Sequence, residues 1–155
     1  MSFASSCNII DIVVDHTWIA TCGITSRILY SSDKGQSWSV FETPIVQGLE
    51  TTGIFSLDFY DALNGFAIGG DYTKPKNQHS NKIRTNDGGK TWQLVAQDQS
   101  PGYRSCVQYV ANSTAKELVA GGLEGIEYSA NAGERGEELT VEGLNAAGVL
   151  KVWVE

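Results

Sequence analysis

The chain consists of short runs in which apolar and polar residues alternate, separated by glycine-rich or polar segments. A period of two is typical of half-buried β-strands, and no segment keeps the 3.6-residue period of a long amphipathic helix. The best helical candidate, 112–117, is too short and lies between two strand-like runs. Twelve runs form three groups of four: 6–13, 17–21, 27–31 and 37–42; 54–60, 65–69, 81–85 and 91–96; and 103–110, 117–120, 125–129 and 137–141. The pattern predicts an all-β chain of three four-stranded antiparallel units.

Each unit carries the same turn motif between its third and fourth runs. The copies at 31–38 and 85–92 both read [S/T]-x-D-x-G-x-[S/T]-W. The aspartate carboxylate can accept hydrogen bonds from main-chain N–H groups further along, and the glycine can take a positive φ at no steric cost. The closing tryptophan starts the next strand and is expected to pack in the core. We therefore assign structural roles to eight motif residues: Ser31, Asp33, Gly35 and Trp38, and Thr85, Asp87, Gly89 and Trp92.

The third copy, at 129–136, is degenerate. Asn131 replaces the aspartate and can still form the turn, but Gly136 stands where the tryptophan is expected. Loss of a buried aromatic side chain removes roughly 3–5 kcal/mol of core packing. We expect weaker packing in the last unit.

The spacing of the motifs indicates a β-propeller. Asp33, Asp87 and Asn131 are 54 and 44 residues apart, and a four-stranded blade needs about 40–50 residues. The longer interval contains a polar insertion at 70–80. The prediction is a single partial propeller over 1–155, with blades at about 3–44, 50–98 and 102–143 and an extra strand within 144–155. Because closed rings have about four to eight blades, three blades leave open flanks. We expect a fragment of a longer protein, or self-association through those flanks.

The motif resembles the Asp-box (BNR) repeat of β-propellers. The stretches 17–21, 27–35, 42–44, 53–59, 69–72 and 102–105 are similar to the photosystem II stability/assembly factor propellers. The resemblance implies a ring of about seven blades, of which this chain would be the C-terminal half, and it implies little chemistry. Some relatives carry the label "oxidoreductase", but no dinucleotide fingerprint, cysteine pair or other cofactor motif occurs here. We predict no cofactor and no metal site.

Composition narrows the choice of partners. The net charge of −7 argues against nucleic acid, because phosphate binding needs a basic stripe. No apolar run is long enough for a transmembrane helix, and the first residues lack the pattern of a signal peptide. The resembling family is often exported, so the compartment stays open. The expected partner is a protein or a small ligand.

Candidate binding residues lie on the face opposite the motifs. Loops between the second and third runs, and connections between units, must share that face. Tyr103 and Arg104 follow such a connection, and Arg104 is aligned with Phe55 of the second unit, so packing alone does not require an arginine. Asp71, Tyr72 and Lys74 lie on the insertion. Together with Asp58, these five residues are predicted to form a polar ligand or partner site of a non-catalytic binding module.

The alternative function is a glycoside hydrolase, because Asp boxes also occur in sialidases. Such an enzyme needs two carboxylates about 5–10 Å apart, for which Asp58 and Asp71 are the candidates. A sialidase also needs three arginines around the substrate carboxylate. The chain has four arginines, and only Arg104 is expected near the ring axis. The remaining catalytic residues would have to lie outside this chain.

Overall fold

The computed structural model describes residues 9–140, which form three four-stranded antiparallel sheets without a helix. The first sheet comprises β1 (Ile10–Val13), β2 (His16–Ala20), β3 (Arg27–Ser31) and β4 (Ser39–Glu42). The second comprises β5 (Thr52–Phe59), β6 (Gly65–Asp71), β7 (Lys82–Thr85) and β8 (Gln93–Leu94). The third comprises β9 (Cys106–Tyr109), β10 (Leu118–Gly122), β11 (Gly125–Ser129) and β12 (Glu137–Thr140). Within this part of the chain no helix exists that could span a membrane.

The strands of each sheet follow one another in chain order, as in a propeller blade. The first strands, β1, β5 and β9, contact each other from sheet to sheet, whereas the last strands β4, β8 and β12 do not. This radial arrangement confirms the predicted all-β fold of three four-stranded units. The predicted extra strand within 144–155 and the start of the first run lie outside the described residues.

Antiparallel order gives the molecule two faces. The loops β2–β3, β6–β7 and β10–β11 and the connections between sheets form one, here called the loop face. The turns β3–β4, β7–β8 and β11–β12, which carry the three motifs, form the other, here called the box face.

The first and second sheets pack through an aromatic stack. The rings of Trp18 and Phe59 lie parallel, with centroids 3.6 Å apart, and Trp92 meets Phe59 edge-on at 5.9 Å. All three side chains are buried, and burial of each contributes roughly 1.5–3 kcal/mol. The surrounding aliphatic core consists of Ala20, Ile28, Ile45, Ile54, Leu57, Ala67 and Ile83.

The second and third sheets pack through a separate, mainly aliphatic core. It contains Phe66, Ile68, Val95, Val107, Tyr109, Leu118 and Ala120. The second and third motif turns each lie on the preceding sheet. The Trp18 indole N–H donates to the carbonyl of Gly88 at 2.7 Å, and a Cβ on Gly133 would lie 2.2 Å from the Phe66 ring. These two motifs therefore join neighbouring blades as well as closing their own hairpins.

Carboxylates also connect the innermost strands. Asp11 accepts a hydrogen bond from the Phe59 amide at 2.6 Å, and Asp58 accepts one from the Tyr109 amide at 2.7 Å. The two contacts are equivalent, because each joins one first strand to the next. These links provide acceptors for main-chain N–H groups on β5 and β9, which are edge strands and have no further strand to pair with on that side.

Candidate ligand-binding site

The two intact motifs are closed networks of internal hydrogen bonds. Asp33 accepts from the Ser37 amide at 2.8 Å and the Ser37 hydroxyl at 2.5 Å, while the Ser31 hydroxyl donates to Asp33 at 2.8 Å. The hydroxyl of Ser37, then its amide, hold the pKa of Asp33 down at about 2. Both carboxylate oxygens accept hydrogen bonds inside the turn and the carboxyl group stays ionised, so this aspartate is poorly suited to acid–base work.

The second motif repeats that geometry. Asp87 accepts from the Thr91 amide at 3.0 Å and the Thr91 hydroxyl at 2.5 Å. Partial burial opposes ionisation, but the bonds from Thr91 outweigh it and the pKa of Asp87 is lowered. Gly35 and Gly89 have φ of +85° and +86°, the left-handed region that the motif glycine was expected to supply.

The two motif tryptophans differ in burial. Each donates its indole N–H to its own motif glycine carbonyl at 3.0 Å. Trp92 is only 7% exposed, because it packs against the first sheet, but Trp38 is 43% exposed. The prediction that Trp38 is buried is wrong for the described residues, because none of them covers the face of the first sheet on which it lies.

In the third motif, Asn131 keeps the turn by accepting from the Arg135 amide at 2.9 Å. The Glu127 carboxylate occupies the space freed by the missing tryptophan, since a Cβ on Gly136 would lie 2.5 Å from Glu127 Oε2. A cavity of about 30 Å³ remains beside it, far below the roughly 300–1,000 Å³ of ligand pockets. This gap between the second and third sheets is a packing feature rather than a binding site.

Arg104 belongs to the same buried polar cluster. Its guanidinium lies 3.5 Å from Glu127 Oε1, and both side chains are buried. Lys82 donates to Asn81 Oδ1 and to two carbonyls of the connection between the sheets, and burial lowers its pKa to about 8. Arg104 therefore pairs with Glu127 within the third unit, and its burial leaves it unavailable to a ligand on the loop face.

The alignment of Arg104 with Phe55 also needs correction. Ladder pairing puts Phe59 opposite Gly65 and Tyr109 opposite Leu118, and these pairs are equivalent. Counting back three residues from each places Ser56 level with Cys106, so the sequence alignment of Arg104 with Phe55 is one residue out of register. Phe55 is an extra residue, because the β5–β6 ladder shifts register between Ile54 and Ser56.

Of the two charged residues predicted on the insertion, Asp71 has a structural role in its own turn and Lys74 is exposed. Asp71 is buried and accepts from the Thr73 amide at 2.9 Å and hydroxyl at 2.6 Å, so it closes the turn after β6. The Thr73 hydroxyl bond is the main reason that the pKa of Asp71 is lowered. Lys74 is exposed on the same loop. Among the described residues, neither side chain forms a hydrogen bond or ion pair with Arg104.

Three aromatic side chains, here called the aromatic triad, converge on the loop face. Phe55 meets Tyr72 edge-on with centroids 5.9 Å apart, and it meets Tyr103 edge-on at 5.3 Å. Tyr72 is 37% exposed, and Phe55 and Tyr103 are half-buried. The three residues come from a strand, a loop and a connection between sheets, so tertiary folding alone brings them together. The sequence identified Tyr72 and Tyr103 but missed Phe55.

Local backbone features position the triad. The bulge at Phe55 interrupts strict alternation, and bulges commonly redirect a side chain. Gly70, with φ of +128°, leaves room for Tyr103, since a Cβ there would lie 3.4 Å from the Tyr103 backbone. The Tyr103 amide donates to the Pro75 carbonyl at 2.9 Å, which ties the connection to the insertion. Burial, then the neighbouring Tyr72 and Cys22, raise the pKa of Tyr103.

The carboxylate pair predicted for glycoside hydrolysis, Asp58 and Asp71, does not have the required spacing. Asp58 is opposite Phe66 at one end of β6, and Asp71 lies five residues further along that strand. At about 3.3 Å per residue, their backbones are roughly 16 Å apart, beyond the spacing of catalytic carboxylates. The arginines do not form the group that a sialidase needs around the substrate carboxylate. Arg27 pairs with Glu42, Arg84 with Glu134 and Arg104 with Glu127, at separate places.

Asp58 has a carboxylate neighbour of a different kind. It shares a hydrogen bond with Asp11, and burial, followed by the charge of Asp11, raises the pKa of Asp58 to about 7. Both groups also accept the main-chain bonds between first strands described above. The pair is therefore part of the contact between blades. Among residues 9–140, no group of three His, Cys, Asp or Glu side chains could hold a metal ion.

Comparisons with known proteins agree with this architecture. Residues 83–94, which include the second motif, match the BNR/Asp-box repeat family. No curated protein sequence matches the chain. A structure of YCF48 bound to D1 peptide is similar over 88% of this chain and 40% of its own, at 19% identity and a TM-score of 0.60. YCF48 from Cyanidioschyzon merolae is similar over 89% and 38%, at 19% identity and a TM-score of 0.55.

A glycoside hydrolase has the same fold. The GH74 enzyme of Niastella koreensis is similar over 84% of this chain and 22% of its own, at 16% identity and a TM-score of 0.57. The chain thus has the β-propeller fold, and its second motif matches the BNR/Asp-box repeat. It spans less than half the length of these solved structures, and identities below 20% establish the shared fold alone.

Proposed function

We propose that the protein is a non-catalytic binding module that recognises a peptide segment of another protein through the aromatic triad. The observation that carries the proposal is the convergence of Phe55, Tyr72 and Tyr103 on the loop face. Two of these rings are held by a bulge and by a connection between sheets, so the surface is preorganised. Partly exposed aromatic residues with few rotatable bonds are common anchors of binding energy.

A peptide suits this surface better than a sugar ring does. Phe55 contacts both tyrosines edge-on, so the cluster presents ring edges and hydroxyls rather than one flat stacking platform. Tyrosines of this kind combine apolar contact with hydrogen bonding to main-chain groups. The similarity to YCF48, whose structure contains D1 peptide, supports the same ligand class.

Affinity selection tests the proposal directly. A library of random dodecapeptides would be selected on the immobilised chain, and the recovered peptides titrated against the protein in solution. Cys22 has a free, exposed thiol near Tyr103 and can carry an environment-sensitive fluorophore. We expect peptide binding to change that fluorescence and to weaken at least about tenfold in Tyr72→Ala and Phe55→Ala.

A matched control is Trp38→Ala, which truncates an exposed aromatic residue on the box side of the first sheet. Its affinity for the selected peptides should stay within about twofold of wild type, because exposed residues away from an interface contribute little. If the peptides bind equally well to wild type and to the triad variants, the triad is not the ligand site. Retention by a soluble β-glucan instead of by any peptide would contradict the proposed ligand class.

A further inference from the structure

A lysine is buried in the second sheet at a position that is apolar in the other two sheets. Lys82 is 2% exposed and lies three residues before Thr85, the first residue of the second motif. Ile28 and Ile126 occupy the corresponding positions before the first and third motifs, and both are buried. Burial of an ammonium group is unfavourable unless it is paired or hydrogen-bonded. Packing of the blade therefore does not account for this lysine.

The Lys82 ammonium group holds the connection between the second and third sheets. It donates to the Gln99 carbonyl at 2.6 Å and to the Pro101 carbonyl at 2.7 Å. The side-chain amide of the neighbouring Asn81 donates to the carbonyls of Pro101 and Gly102 at 3.0 and 2.7 Å, and Asn81 Oδ1 accepts from Lys82 at 3.0 Å. Two adjacent side chains thus satisfy the carbonyls of a segment that has no strand ladder of its own.

This connection leads directly into the triad residue Tyr103. The Tyr103 amide donates to the Pro75 carbonyl at 2.9 Å. A Cβ on Gly102 would lie 2.2 Å from the same carbonyl, so the connection and the insertion are in close contact. The position of the Tyr103 ring against Phe55 therefore depends on how firmly the preceding residues are held.

We propose that Lys82 is a positioning residue for the peptide site and that its protonation regulates binding, an inference that rests on the proposed function of the aromatic triad. The protonated amine has three N–H donors and uses them on three acceptors, Asn81 Oδ1 and the carbonyls of Gln99 and Pro101. The neutral amine has two donors, so deprotonation leaves one of these acceptors without its bond and loosens the connection.

The surroundings of Lys82 place this change close to neutral pH. Burial lowers its pKa to about 8. The charge of Glu127 on β11 opposes that shift, Arg104 adds to it, and Asp98 on the connection opposes it. Peptide affinity should therefore be highest when Lys82 is charged and should fall as pH rises through 8.

Lys82→Ile tests the positioning role, because it introduces the residue that the other two sheets carry. Replacement of a buried charge by an apolar side chain often leaves stability unchanged or raises it. We expect the melting temperature to stay the same or rise, while the affinity for a selected, fluorescently labelled dodecapeptide falls at least about fivefold. Lys90→Ile, at an exposed position of the second motif, is the matched control and should stay within about twofold of wild type.

Double variants separate positioning from a general loosening of the fold. In the Tyr103→Ala background, Lys82→Ile should weaken binding by less than about twofold more, because the side chain that it positions is already absent. In the Tyr72→Ala background it should still weaken binding about fivefold. Equal further losses in the two backgrounds overturn the proposal.

The pH profile tests the regulation. Measurements in a Cys22→Ser background remove the exposed thiol near Tyr103 from the profile. Affinity should fall between pH 7 and pH 9 with Lys82 present and stay level in Lys82→Ile. Affinity that does not change with pH when Lys82 is present, or a fall that persists in Lys82→Ile, overturns the proposal.

Hydrogen exchange without peptide distinguishes this inference from the proposed function. The Tyr103 amide should exchange at least about tenfold faster in Lys82→Ile than in wild type, whereas the amides of Phe59 and Tyr109 should be unaffected. Unchanged exchange at Tyr103 overturns the positioning role even where the triad binds peptide. Peptide binding that is unchanged in Tyr72→Ala overturns the proposed function and, with it, the regulation of binding by Lys82.

Discussion

Individual aspartates in this propeller differ in protonation because their surroundings differ. Asp33 and Asp87 lie in turns that donate several hydrogen bonds to them, which favours the ionised form. Asp58 lies between sheets beside Asp11, where burial and a like charge favour the protonated form. Asp33 and Asp87, which a motif search selects, are therefore the least suited to acid–base chemistry. The carboxyl group with the most perturbed pKa, that of Asp58, connects two blades.

The raised pKa of Asp58 predicts a pH-dependent stability. Because its folded pKa is about 7 and its unfolded pKa near 4, the folded state retains a proton that the unfolded state releases between these values. This stabilisation is complete below about pH 4 and is lost as pH rises through 7. Asp58→Asn carries no charge and can still accept from the Tyr109 amide. We expect its urea midpoint to fall less than that of wild type between pH 5 and pH 8.

Asp61→Asn serves as a control of opposite sign. Partial burial opposes ionisation of Asp61, but hydrogen bonds from the Asn64 amide and side chain outweigh it and lower its pKa. Its stabilisation is present above the unfolded pKa and is lost as pH falls, so this variant should lose stability mainly at neutral pH. Parallel pH profiles for wild type and Asp58→Asn would contradict the assignment of the perturbed proton to Asp58.

At the scale of strands and turns, the same motif contributes different amounts of stability in different sheets. Hydrogen bonding inside the first and second motifs is nearly identical, whereas the burial of their tryptophans is not. The difference comes from the neighbouring sheet and not from the motif. A turn motif therefore predicts a hairpin but does not predict how its aromatic residue is covered.

Truncation of the two tryptophans separates these contributions. Trp92→Ala should lower the free energy of unfolding by about 3–5 kcal/mol, because it leaves a cavity against Phe59. Trp38→Ala, measured in dilute solution, should cost less than about 1 kcal/mol, as expected for exposed residues. Urea unfolding monitored by circular dichroism gives both values. Equal losses in the two variants would show that Trp38 is packed as deeply as Trp92.

The third motif makes a further prediction, since its glycine and Glu127 occupy the place of a tryptophan and an apolar residue. Gly136→Trp restores the motif residue but would force the indole against the Glu127 carboxylate. Separation of Glu127 from Arg104 leaves buried charges without partners, at a cost of about 3–5 kcal/mol. We therefore expect Gly136→Trp to lower the melting temperature. The additional substitution Glu127→Gln should not rescue it, and a more stable Gly136→Trp would refute the packing described here.

At the scale of the whole molecule, local sequence information was sufficient for the sheets and insufficient for the site. Alternation and the Asp-box turns predicted the order of the strands, because both act over a few residues. The aromatic triad depends on a bulge at Phe55 and on three distant segments, neither of which leaves a periodic signal. The partner of Arg104 was missed because Glu127 stands at a position that is apolar in the other two sheets.

The number of blades in the ring is also a property that local sequence patterns do not determine. Three sheets arranged radially leave the outer face of the first sheet without a described counterpart, and the solved structures of the same fold are more than twice as long. The prediction of about seven blades stays a prediction. The position of the triad near the innermost strands does not depend on that number, because strands and loops within the described residues hold it.

The central claim is that binding depends on the loop-face aromatic triad while the Asp boxes only support the fold. Its most direct test is the dissociation constant of a selected dodecapeptide for Tyr72→Ala, measured by fluorescence at labelled Cys22 in a protein whose melting curve is unchanged. The account predicts binding at least about tenfold weaker than wild type, equivalent to ~1.4 kcal/mol. An unchanged dissociation constant, together with loss of binding in the box variant Asp33→Ala, would contradict it.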